Sequence, residues 1–106
     1  MRGDLWRPHA VATTTIAGWV EVSADGLADA PTVVVVPVTT VAPRAGLGWP
    51  VMLGMRATPW TEPAWIVLAQ VHTILRRELG TRMGALTDAQ LHTLNDALTR
   101  VLGVDT

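Results

Sequence analysis

Val33-Val34-Val35-Val36, entered from Pro31 and closed by Pro37, leaves this chain the least freedom of any stretch. Four β-branched side chains in a row are stiff at χ1 and favour extended backbone. Being apolar at odd and even positions alike, they need cover on both faces of a sheet. The run therefore predicts a central strand with a layer on each side. Pro37 has no N–H to give a ladder, so pairing is expected to loosen there and to leave the hydroxyls of Thr39 and Thr40 exposed at the strand's released end.

The remaining segments supply neighbours for that strand. Arg2 to Arg7, ahead of Pro8, reads as a short first strand, and His9 to Thr15 as a loop. Ile16 to Ser23 alternates, with Ala17, Trp19, Glu21 and Ser23 on one face and Gly18, Val20 and Val22 on the other. Trp49 to Leu53 and Ala64 to Val71 are expected as strands, separated by the irregular, proline-bearing stretch Arg56 to Pro63. A short helix is expected from Thr73 to Leu79, ended by Gly80 in a left-handed conformation, and a last strand from Arg82 to Leu86. Thr87-Asp88-Ala89-Gln90 is a capping box. Leu91, Leu94, Leu98 and Val101 follow at helical spacing, Arg100 suits the closing dipole, and Gly103 sits where a helix stops.

The 106 residues allow one domain, spanning 1–106, and 49% hydrophobic against 16% charged residues favours a packed globule over disorder. Cysteine is absent, which excludes a disulfide framework and a thiolate metal site and makes the cytoplasm the expected location. No stretch reaches the ~18 apolar residues of a membrane span, so no membrane role is expected. Eight Arg and no Lys face nine acids, for a net charge of −1. That balance argues against a broadly basic nucleic-acid surface, although a local Arg patch would serve. All five aromatic residues are Trp and are expected in the core. His9, His72 and His92 lack the short spacing of zinc ligands, no Gly-rich phosphate loop is present, and no cofactor is expected.

Several blocks carry a resemblance. Arg2-Gly3-Asp4-Leu5-Trp6, then Val22-Ser23-Ala24-Asp25, then Pro31-Thr32 with the valine run and Pro37-Val38-Thr39-Thr40 are similar in order and spacing to the opening strands of the MazF/PemK toxins. Val67-Leu68-Ala69-Gln70-Val71-His72-Thr73-Ile74 resembles the family's fifth strand, with Ala69 where Glu is usual and His72 in a basic slot. Gly84-Ala85-Leu86-Thr87-Asp88 and the capped helix through Leu102-Gly103-Val104 resemble its C-terminal signature. The likeness covers essentially the whole chain. It implies a mainly β (α+β) fold: a small SH3-like antiparallel β-barrel with a short helix and a C-terminal α-helix. It also implies a homodimer with an RNA groove along its interface, and a cognate antitoxin whose acidic tail lies in that groove.

The chemistry that the resemblance implies is metal-independent, sequence-specific cleavage of single-stranded RNA by a type II toxin, in which the ribose 2′-hydroxyl attacks its own phosphate. Such a step needs proton transfer and stabilisation of a charged phosphorane. The family's catalytic Thr falls on Thr39, with Thr40 sharing the assignment. Its catalytic Arg falls on Ala17, and no apolar residue replaces a planar, permanently charged phosphate clamp. Residues expected to bind substrate are Gln70, His72, Ser23, Arg44, Arg7 and His9. Gln70 offers donor and acceptor to a base edge, His9 and His72 offer a pair of imidazoles for acid and base roles, and Arg7 and Arg44 lie in or beside loops. Glu21 reads either as a base or as a partly exposed carboxylate paired with an Arg. Two further readings stay open. One is a member that captures RNA or antitoxin without cleaving; the other is a gyrase poison of the CcdB kind, which shares the fold.

Overall fold

The computed structural model describes residues 1–8, 16–27, 29–40, 52–55, 64–68 and 70–103. Among these residues, seven strands precede one α-helix: β1 (Asp4–Arg7), β2 (Gly18–Glu21), β3 (Thr32–Thr39), β4 (Met52–Met55), β5 (Ala64–Val67), β6 (His72–Leu75), β7 (Thr81–Ala85) and α1 (Asp88–Val101). All pairings are antiparallel, in the order β4-β5-β3-β2-β1-β7, with β6 also on β3. Among the described residues the two ends of this path, β4 and β7, are not paired with each other. The result is the mainly β, barrel-like architecture expected, with a C-terminal helix.

The valine run is the centre of β3, and both of its faces are covered. Val36 and Val38 join Leu5, Val20, Ile66 and Leu68 in a core closed by Leu94 and Leu98 of α1. Val33 and Val35 lie on the opposite face, under Leu79 and beside the half-buried Trp6, Trp19 and Ile74. Arg2 ties the start of the chain to both layers: its guanidinium donates to the Val22 carbonyl and to Asn95 Oδ1 at 2.7 Å.

Pro37 does not release the strand. β3 continues through it to Thr39, which pairs with Trp65. The register explains why. Val34 and Val38 direct their carbonyls to the β2 side, accepting from Val22 and Ala17, so the odd residues of β3 direct their backbone groups to the other edge. On that edge β6 pairs as far as Val35 and β5 resumes at Val38. Pro37 therefore stands where the partner strand changes, and its missing N–H breaks no ladder bond.

The same edge accounts for two further differences. The expected strand from Ala64 to Val71 stops at Val67, turns at Leu68 with a 3.3 Å bond from Gln70 N–H to the Val67 carbonyl, and resumes as β6. The expected helix from Thr73 to Leu79 is instead strand to Leu75 followed by a single 3-10 turn, Arg76–Glu78. Pairing with Thr32–Val35 outweighs a short helix that would bury little. Gly80 does take the left-handed conformation, at φ +87°. β4 begins at Met52, while Trp49 and Trp60 lie outside the described residues.

The capping box is formed. Thr87 Oγ1 accepts from Gln90 N–H at 3.1 Å, and Gln90 Oε1 accepts from Thr87 N–H at 2.9 Å. Thr87→Ala is expected to cost about 1 kcal/mol, read as a lower urea midpoint at unchanged m-value; an unmoved midpoint would show that packing of Leu94 and Leu98 alone holds the helix.

Candidate functional site

Strand alternation sorts the candidate residues onto two faces. On β3, Thr39 shares its face with Val33, Val35 and Pro37, away from α1, whereas Thr40 follows Val36 and Val38 toward the helix. The two hydroxyls are therefore not a pair. Thr39 is only 7% exposed, and Thr40 is half-buried. Neither is the free strand-end group expected, because β5 and β2 both accompany β3 to its end.

Around Thr39 the sheet brings three elements together. Trp65 of β5 stands directly opposite it. On β2 the paired register ends with Gly18 opposite Val38, and Ala17 N–H also donates to the Val38 carbonyl at 2.7 Å, which brings Ala17 to the end of β3 that carries Thr39. Trp19 lies opposite Pro37, and Trp6 lies opposite Trp19. Farther along the same face Glu21 and His72 flank Val35. His72 is exposed, and its ring meets that of Trp19 edge-to-face, with centroids 5.7 Å apart and planes at 71°. His72 is level with Val35, four residues from Thr39, or ~13 Å along the strand. The imidazole and the hydroxyl are not direct partners.

Charge on this face is layered. Glu21 is 2% exposed and accepts from Trp6 Nε1 at 3.3 Å and from Arg76 Nη1 at 3.4 Å, with the Met1 ammonium 3.1 Å away. Asp4, also buried, takes the same ammonium at 2.9 Å and Arg82 at 3.2 Å. Burial favours the neutral amine of Met1, but the hydrogen bonds and charges of Asp4 and Glu21 together outweigh it and raise its pKa. The carboxylates lie beneath and the cations above: side-chain exposure is 54% for Arg82 and 27% for Arg76. A chain of net charge −1 thus presents positive charge here. Glu21 has the Arg partner expected of it, but it is buried rather than partly exposed, because Trp6 and Arg76 close over it.

Arg76 and Arg82 are the functional candidates that the sequence reading missed. Arg76 fell inside the segment expected as a helix, Thr73 to Leu79, and only the pairing of β6 with β3 brings it to Glu21 and to the Ala30 carbonyl, where Nε donates at 3.1 Å. Arg82 lies opposite Trp6 across β1 and β7.

Other expected residues fall elsewhere. Ser23 Oγ accepts from Val34 N–H at 2.6 Å and lines a 570 Å³ groove with Leu98 and Leu102, on the helix side. Its hydroxyl extends the β2 ladder in place of a backbone group. Arg7 is exposed at the end of β1, one residue on from Trp6 and so directed to the other face. Gln70 is exposed at the turn between β5 and β6. His9 and Arg44 lie outside the described residues.

Residues 19–102 match the family of PemK-like, MazF-like toxins of type II toxin-antitoxin systems, and the chain belongs to that family. No curated protein sequence matches it. Among solved structures it is similar to an endoribonuclease in complex with its cognate antitoxin from a mycobacterial species, at 25% identity and a TM-score of 0.79, covering 100% of this chain and 97% of that one. A second mycobacterial endoribonuclease matches at 27% identity and a TM-score of 0.76, covering 97% and 90%. The Mycobacterium tuberculosis toxin MazF-mt6 shares the fold at 17% identity and a TM-score of 0.78, covering 97% and 99%.

Proposed function

We propose that this toxin-family chain is a metal-independent endoribonuclease that cuts single-stranded RNA in the cytoplasm, works as a homodimer and is held in check by a cognate antitoxin. The observation that supports the reading is Thr39: a buried hydroxyl at the end of the hub strand, opposite Trp65 and near Ala17, the position to which the resemblance assigns the family's arginine. In the reaction the 2′-oxygen forms a bond to its own phosphorus as the bond to the 5′-oxygen breaks. One proton leaves the 2′-hydroxyl, another arrives at the leaving oxygen, and a 2′,3′-cyclic phosphate remains. Thr39 Oγ1 donates to a non-bridging oxygen of the phosphorane, while Arg76 and Arg82 draw the backbone onto the face.

Incubation of the purified protein with a long single-stranded RNA in EDTA, with cuts mapped by primer extension, tests this directly. Discrete cuts with cyclic phosphate ends support it; intact RNA overturns it. Thr39→Val keeps the shape of the side chain and is expected to cost about 1 to 3 kcal/mol of stability, yet to slow cleavage by the still-folded protein at least about tenfold. Cleavage at the wild-type rate would remove Thr39 from the chemistry.

A second reading has its own support. Ala17 puts a methyl group where the family's arginine stands, which favours a member that binds RNA or antitoxin without cutting. Intact RNA that still shifts the protein in a binding assay would select it.

A further inference from the structure

His72 and Trp19 make an arrangement that packing alone does not account for. His72 is exposed on β6, yet its ring is held against Trp19 in an edge-to-face contact that fixes its orientation. Trp19 in turn continues a row with Trp6, and Arg82 stands at the end of that row. Arg76 rises from the next turn after His72. Aromatic rings interleaved with cations on one sheet face suit a single strand of nucleic acid, whose bases stack on the rings while its phosphates meet the cations.

From this geometry we infer that His72, oriented by Trp19, is a base-stacking subsite on the RNA-binding face. Trp19 lies opposite Pro37, two residues from Thr39, or ~7 Å along the strand. His72 itself is level with Val35, ~13 Å along the strand from Thr39, so a base stacked on it belongs to a nucleotide beyond the one whose phosphate sits at Thr39, which makes the subsite a determinant of how the strand is held in register for cutting. The inference rests on the proposed RNA reading and adds a role, stacking, that differs from acid–base chemistry at the same histidine. Trp19 is the positioning residue: it acts through the orientation of the His72 ring.

The test uses the full chain and a random-sequence single-stranded RNA carrying 4-thiouridine, irradiated in EDTA, with crosslinked peptides identified by mass spectrometry and cleavage followed on the same RNA. Crosslinks at His72 or Trp19 are expected. His72→Ala should weaken RNA binding roughly 5- to 100-fold, and His72→Phe, which keeps an aromatic ring but no ring nitrogen, should restore it. Cleavage accompanied only by crosslinks elsewhere, or binding by the Phe variant no better than by the Ala variant, overturns the subsite and leaves the ribonuclease standing. Crosslinks at His72 without cleavage support the subsite and overturn the nuclease. Neither crosslinks nor cleavage overturns both.

Discussion

Ala17→Arg should speed RNA cleavage about 100-fold, the size of effect associated with one preorganised donor aimed at developing charge. Ala17 is bonded to the carbonyl of Val38, the residue before Thr39, so a guanidinium at position 17 is expected to come within reach of a phosphate held at the Thr39 hydroxyl. Residue 17 is half-exposed, and a longer side chain can leave the sheet face without displacing the core. Ala17→Lys should gain less, because an ammonium offers a point charge and not a planar fork. The measurement is the single-turnover cleavage rate of the three proteins on one RNA. Equal rates for wild type and the Arg variant would mean that another group already fills that position.

Arg76→Met should destabilise the fold by about 2 kcal/mol. Removing one partner of a buried ion pair typically costs ~3 to 5 kcal/mol, because the other charge is stranded. Here Glu21 is the stranded charge, at 2% exposure, but Trp6 Nε1 and the Met1 ammonium still serve it, which brings the cost down. For a domain of this size the midpoint of thermal unfolding should fall by about 10 °C. Adding Glu21→Gln to the Met variant should recover part of that loss, since no unpaired charge then remains buried. A double variant less stable than the sum of the two single variants would refute the assignment of the cost to Glu21.

What was legible in the sequence was whatever depended on neighbours along the chain. The valine run, the Thr87 capping box and the leucine spacing of α1 each carry their own physical signal, and each forms as expected. The faces of Gly18 to Glu21 followed from alternation, but Ser23, which alternation put with Trp19 and Glu21, lies on the helix side, where its hydroxyl takes the place of a backbone group on Val34. Illegible was the sharing of one strand edge. Nothing local in Ala64 to Leu79 says that β5 and β6 both need β3, and without that knowledge Thr73 to Leu79 looks helical and Pro37 looks like an end. The site inherited the same blindness. Thr39 was found through its resemblance to the family, but its burial, its separation from Thr40, and the arrival of Arg76 beside Glu21 all depend on pairings made at long range. The position of Ala17 relative to Thr39 was readable only in part: the departure from the family was visible, and the cross-strand adjacency was not.

Because β3 is completed on one edge by residues 64–67 and 72–75, a chain emerging from the ribosome carries its valine run for some time before those partners exist. An uncovered, uncharged, β-branched segment is prone to pair with copies of itself. Synthesis of residues 37–75, a little over a third of the 106-residue protein, thus passes with its stickiest segment open on that edge, and with Thr39 lacking the strand that buries it. The nascent product is at once vulnerable to aggregation and without an assembled site, and both conditions end together when β5 and β6 dock.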